Sequence, residues 1–446
     1  MPGGAGRVTA LPMISLLLHV ALAASPPPQI PFEKYTLSNG LQVILAPDDS
    51  VPFVWVNLWY YVGSKDEVVG RTGFAHLYEH MMFQGSAHMD DDYFQPLQRV
   101  GGQVNGTTNL DRTNFFEGVP SEYLPMALFL ESDRMGWLLP AMTQEKLDNQ
   151  KLVVRNERRQ RYENRPYGNA WVYLLENMYP EGHPYHTATI GKHADIDAAS
   201  LEDVQAFFKK WYLPNNASLV VAGDFDIAVA KAQVEQWFGA SPAGTEPELT
   251  VAAPVSLPAE KVVRYEEYVP FPKVWLAWHS PAVLSREDAA LDILSSVLTN
   301  GRDAVLYQKL VYELQIAQDV SAYQASAKLW SMFIIEATAA PGHTSDELVA
   351  AIDAVLASLR SKGTSKADIA TALTAYEVQF FESIGSIQGK ANLLNNYNWL
   401  TGDPDYLAED LARYRSIKKG YLDKVLRTWL PADKRVVMHI NPKAAQ

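Results

Sequence analysis

The 446-residue chain contains no cysteine. That excludes disulfide frameworks, thiolate metal sites and cysteine nucleophiles, so any metal must be held by His, Asp or Glu. The absence also fits an oxidising compartment. Basic surplus is missing too: 38 Lys and Arg against 51 Asp and Glu leave a net charge of −13. A nucleic-acid binder carries a basic excess or tract, and the acidity here reads as solubility. Beyond the N-terminus there is no long apolar run, so no stable membrane insertion is expected of the mature chain. With 48% hydrophobic and 20% charged residues, it is not a mainly disordered polypeptide.

The N-terminus reads as an address. Arg7 is the only charge before Glu33, and residues 11–22 are apolar. Ala21-Leu22-Ala23 has the small-x-small form of a cleavage site, and Pro26-Pro27-Pro28 follows. Residues 1–24 are expected to be a secretory signal, giving a periplasmic or secreted protein; an uncleaved anchor is the rival.

Asn39-Gly40 between apolar runs predicts a hairpin over residues 35–45, and residues 54–62 predict a buried strand. Residues 201–211 read as an amphipathic helix followed by Pro214 and a strand. The segment 241–261 is rich in proline among small residues and marks a linker. Beyond it, a strand is predicted over 274–278 and helices behind Ser285 and Thr344. Tyr212-Leu213-Pro214 before Ser218-Leu219-Val220-Val221 is echoed by Trp429-Leu430-Pro431 before Arg435-Val436-Val437-Met438. The reading is an α+β fold: two homologous α/β half-domains in tandem, each a mixed sheet packed by helices. The halves are 25–240 and 262–446.

His76-Leu77-Tyr78-Glu79-His80 lies in a helical stretch. Residues four apart on a helix differ by about 40° around its axis, so both imidazoles share a face and can meet one divalent ion. Glu79 sits beside that face, where a carboxylate can act as general base without ligating. The motif is the inverse of HExxH. A third ligand is needed. In the next helical segment, Leu147, Gln150, Val154 and Glu157 share a stripe. A carboxylate there must find a cation, either a metal or one of Arg155, Arg158, Arg159 and Arg161.

The sequence resembles the inverzincin zinc peptidases of the pitrilysin, insulinase and mitochondrial processing peptidase family, in the short bacterial two-subunit branch. Matching stretches are residues 35–45, 73–85, 101–108, 131–135, 153–167 and 183–185. The resemblance implies one zinc ion on His76, His80 and Glu157, with Glu79 activating the water that attacks a peptide carbonyl. It makes 25–240 the zinc-bearing half and 262–446 the non-metal half. Unfolded peptides would add as a strand to an edge supplied by residues 103–116.

Two positions depart from the family pattern. Gln150 stands where an acid often precedes the distal ligand; an amide can still hydrogen-bond around the metal but carries no charge. Val311 and Gln318 fall where active single-chain relatives carry a carbonyl-clamping Arg and Tyr, and no nearby Arg302, Tyr307, Tyr312 or Tyr323 keeps that spacing. A homologous partner subunit lacking the zinc motif is therefore expected to supply the clamp, in a heterodimer or a heterotetramer built from it. The competing reading is a catalytically silent, zinc-stabilised subunit that binds peptides. The remaining histidines have no partner at ligand spacing and read as structural or solvated.

Overall fold

Each of two sheets is built around a strand that is apolar on both faces, which marks it as interior. The computed structural model describes residues 28–443; the expected signal over 1–24 lies outside the described residues. The first sheet comprises β1 (Glu33–Thr36), β2 (Gln42–Pro47), β3 (Phe53–Tyr60), β4 (Gln103–Thr108), β5 (Thr113–Pro120) and β6 (Ala217–Gly223), in the order β1-β2-β6-β3-β5-β4. The second comprises β7 (Lys261–Glu267), β8 (Lys273–Ser280), β9 (Ala317–Ala325), β10 (Ser331–Ala339) and β11 (Val436–Pro442), in the order β7-β11-β8-β10-β9.

The β2-β6 and β7-β11 pairs are parallel, and every other pair is antiparallel. Strand for strand, β2-β6-β3-β5-β4 repeats as β7-β11-β8-β10-β9. The echo around Pro214 and Pro431 is the signature of this duplication: helix Leu201–Trp211 leads into β6, and helix Lys419–Trp429 into β11. Between the sheets, residues 242–257 form neither helix nor strand.

The predicted Asn39-Gly40 turn joins β1 to β2. Gly40 has φ 90°, and a Cβ there would lie 2.6 Å from Asn215 Cβ, so both conformation and space demand glycine. The edge expected over 103–116 is narrower than the sequence indicated. Asn109 Oδ1 accepts from the N–H groups of Asp111 and Arg112 at 2.8 and 2.9 Å, closing a tight hairpin. The chain after Thr113 therefore returns between β4 and β3, and only β4 is the edge.

Helix Phe74–Met81 packs one face of the first sheet, with Leu77, Tyr78 and Met81 joining Leu58, Tyr60 and Phe115 in one core. Each such fully buried side chain contributes roughly 1.5–3 kcal/mol. The other face, with Ile44, Trp55 and Val220, is covered from the C-terminal half by Ile387, Ala391 and Leu394 of helix Ile387–Thr401. Asn395 of that helix donates to Asn57 O at 2.8 Å and accepts from Ser218 Oγ at 2.5 Å. The exchange is mutual. Helix Ala170–Met178 of the N-terminal half lies against the second sheet, where Tyr173 stacks on Tyr265 at 4.0 Å. No helix among the described residues is long and apolar enough to cross a membrane.

Candidate metal centre

Helix Phe74–Met81 starts at Gly73, whose φ of 86° is left-handed and which has no side chain to cap with. Glu67 takes over that role. Its carboxylate accepts from the N–H of Gly73 at 2.9 Å and of Ala75 at 2.8 Å, satisfying two orphan donors at the helix start. Burial pushes the Glu67 carboxyl up to about 8, against the pull of those two N–H groups. Phe74, Ala75, Leu77, Tyr78 and Met81 are buried. His76, Glu79 and His80 are consequently left together toward a cleft.

The facing helix, Gln144–Arg158, is capped by Thr143, whose side chain accepts from the Lys146 N–H at 3.2 Å. Leu147, Gln150 and Val154 are buried, and Glu157 continues their stripe as the spacing predicts. The helix then widens into a π-helical turn, Arg159–Glu163.

The two oxygens of Glu157 have different partners. Oε1 pairs with Arg161 at 2.8 Å. Oε2 lies 3.1 Å from His80 Nε2 and 3.6 Å from His76 Nε2. Arg155 and Arg158 are engaged elsewhere, on Asp197 and Glu163. One ligand atom from each of His76, His80 and Glu157 lies within 4.8 Å of the others. A tetrahedral ion with bonds of ~2.0–2.1 Å sets its ligand atoms roughly 3.3 Å apart. The two observed separations bracket that value.

The donor chemistry fits as well. Burial, reinforced by the neighbouring His80, pushes the His76 imidazole down to about 4, so at neutral pH it is uncharged with a lone pair to give. Burial raises the Glu157 carboxyl, but the hydrogen bond from His80 and the charges around it outweigh that and hold it below its ordinary range. Glu79 is different. Burial raises its carboxyl above the usual range, while Thr108 on β4 donates to Oε2 at 2.6 Å and opposes the rise. A carboxylate raised in this way is a better proton acceptor than one in open water.

The cleft, of about 480 Å³, is lined by these four residues, by Asn105, Gly106, Thr107 and Thr108 of β4, and by Gln150 and Arg161 among others. Gly106 permits the close approach: a Cβ there would lie 3.1 Å from Glu79 Cγ. Gln150 is buried and makes no side-chain hydrogen bond to another described residue. His76 Nδ1 is likewise buried without a partner. Val311 packs half-buried against the second core, and Gln318 donates to Ala339 O at 2.7 Å. Neither lines the cleft, and among the described residues no residue C-terminal to Arg161 does.

Sequence reasoning missed Glu67 and Thr108. For Glu67 a trace exists: a helix whose first residues lack a Ser, Thr, Asp or Asn cap needs an acceptor from elsewhere. For Thr108 the trace is the quoted stretch 101–108, read only as an edge. The 131–135 stretch also acquires a role. Arg134 donates to Glu131 Oε2 at 2.8 Å and to Glu117 Oε1 at 3.1 Å, bracing the sheet beneath the site.

A duplicated α/β scaffold carrying a His2Glu cluster is the architecture of a metallopeptidase-like protein. Residues 42–186 match the family described as Insulinase (Peptidase family M16), and residues 198–376 match the Peptidase M16 inactive domain. The chain is 28% identical over 441 residues to Zinc protease PqqE of Helicobacter pylori, covering 96% of this chain and 98% of that protein. The crystal structure of a protease from Helicobacter pylori matches with a TM-score of 0.85 at 25% identity, over 92% of this chain and 99% of that one. The periplasmic protease PqqL from Escherichia coli shares the fold, with a TM-score of 0.76 at 16% identity, over 94% of this chain but 48% of that one. The chain belongs to peptidase family M16, as its motifs indicated, and the expected fold of two α/β halves is the one observed.

Proposed function

We propose that the chain is a zinc-dependent endopeptidase acting on unfolded peptides. The observation that carries this is the convergence of His76, His80 and Glu157 beside Glu79, against the edge strand β4. His76, His80 and Glu157 would hold a single zinc ion, leaving a fourth position open. When bound, zinc lowers the pKa of water toward ~7 and polarises a carbonyl.

The chain's own residues do the rest. β4 takes the peptide as an added strand, giving main-chain affinity with loose sequence preference. Glu79 accepts the proton of the attacking water and returns it to the leaving amine, while Thr108 fixes its orientation through Oε2. Neutral His76 keeps its lone pair for the metal.

Residues 25–240 form the zinc-bearing half in this reading, 241–261 the linker and 262–446 the non-metal half. Val311 and Gln318 leave the substrate carbonyl without a clamp. A homologous partner subunit supplies it, consistent with PqqL being about twice this chain's span. A periplasmic or secreted location follows from the 1–24 signal and agrees with the location given for PqqL.

The competing reading, a silent zinc-stabilised peptide-binding subunit, is favoured by Val311 and Gln318 alone. Glu79→Gln separates the two. The peptidase reading predicts retained zinc with cleavage reduced ~10²–10⁴-fold; unchanged function in the cell would support the silent one. High peptidase activity of the purified chain, with no partner present, would remove the partner requirement.

A further inference from the structure

A second cleft, of about 670 Å³, opens on the other face of the first sheet, between β4, β5 and helix Ile387–Thr401. Thr107 lines both this cleft and the metal cleft, so the two meet at the β4 edge. Arg112 stands on its wall. One guanidinium nitrogen, Nη1, donates to Thr107 O and Asn114 Oδ1 at 3.0 Å each, and to Thr107 Oγ1. Asn114 is itself oriented, since its amide donates to Asn57 Oδ1 at 3.3 Å and Asn57 donates to Asn392 at 2.5 Å. The guanidinium lies over the Trp59 ring at 4.9 Å.

The arrangement continues behind it. Trp59 contacts Trp399 with centroids 5.9 Å apart, and Lys328 Nζ lies 4.8 Å over Trp399. Among the described residues neither Arg112 nor Lys328 makes an ion pair with a carboxylate. Asp111, adjacent in sequence, is occupied by Tyr185 OH at 2.5 Å and the Lys328 N–H at 2.9 Å. Glu382, the one carboxylate on the lining, is exposed. In a chain of net charge −13, two half-buried cations over neighbouring tryptophan rings, with Glu79, Asp111 and Asp66 acting on them only from a distance, are unusual. Among the described residues Arg112 donates only through Nη1, so Nε and Nη2 keep the planar fork that binds carboxylates.

Strand geometry supplies the ligand. Side chains of a peptide added to β4 alternate between the two faces of the sheet. Residues pointing one way meet the metal cleft; those pointing the other way meet Arg112. We propose that Arg112, with Lys328 behind it, is an anion subsite that takes a peptide carboxylate, from an acidic side chain or a chain terminus, on the face opposite the metal. This rests on the strand-addition reading given above.

The test is binding to the full-length, zinc-loaded Glu79→Gln chain, which would not consume its ligand, read by fluorescence anisotropy. The probes are fluorescein-labelled neutral ten-residue peptides, versions with a single Glu moved through successive positions, and versions with free or amidated C-termini. The expected result is about tenfold tighter binding for Glu at alternating positions, lost in Arg112→Gln and partly restored in Arg112→Lys. A gain from the free terminus alone would assign the subsite to chain ends. Equal Kd for every Glu position and both termini, or a gain that survives Arg112→Gln, would overturn the proposal. The peptide scan needs no change at Arg112, so a misfolded variant does not blunt it. Charge-selective binding by a wild-type chain whose cells show the same peptide cleavage as cells carrying Glu79→Gln would keep this subsite and remove the peptidase reading; Glu79-dependent cleavage without charge selection would do the reverse.

Discussion

Thr108 and Glu79 meet across the gap between β4 and the motif helix, the hydroxyl donating to Oε2 at 2.6 Å. This bond stabilises the ionised carboxylate against burial, which acts the other way. Thr108→Val should therefore raise the Glu79 pKa, so that less of it is ionised at a given acid pH. The acid limb of the kcat/KM profile should move to higher pH, with a loss of about tenfold on that limb. An unmoved limb would mean that the hydroxyl does not act on the base.

Glu157 divides its oxygens between a cation on the surface and the two imidazoles. Glu157→Gln should abolish stoichiometric zinc, because an amide is a poor ligand and carries no charge. Arg161→Gln should cost little, since the guanidinium is largely exposed and its pairing is screened. Elemental analysis after dialysis reads both, and equal zinc loss in the two variants would contradict this division.

Chelation should inactivate the chain without unfolding it. The helices bearing His76, His80 and Glu157 are anchored by the buried Leu77, Tyr78, Met81, Leu147 and Val154, none of which belongs to the candidate ligand cluster. Far-UV circular dichroism should be unchanged after chelator treatment, while Tm falls as ligand stabilisation is lost. Loss of helicity on chelation would show that zinc is structural.

Glu67 predicts a pH-dependent stability. At pH values below the ordinary carboxyl pKa of ~4.3, the folded and unfolded chains both hold its proton. Between there and about 8 the folded chain alone holds it, so this stabilisation is full in acid and is lost as pH rises to about 8. Glu67→Gln should flatten the decline in urea midpoint between pH 5 and 8. An unaltered slope would locate it in another group.

Much of this site was written locally. The 76–80 motif and the Leu147 to Glu157 stripe follow from helical spacing, because 3.6 residues per turn fixes which side chains share a face. The echo of Pro214 in Pro431 exposed the duplication, since the same helix-to-strand step recurs in each sheet. What stayed hidden depends on contacts that no period encodes. Glu67 reaches the motif helix from a preceding turn, and Thr108 reaches Glu79 from a strand. The edge narrowed to β4 because Asn109 closes a hairpin that alternation alone cannot place. Gln150, on the stripe as helical spacing predicts, lines the cleft.

The covering of the first sheet by helix Ile387–Thr401, and of the second by helix Ala170–Met178, has a bearing on solubility. Each half clasps the other, so prising them apart would bare two greasy surfaces at once. Neither half has a finished surface of its own, so either half produced alone should be insoluble.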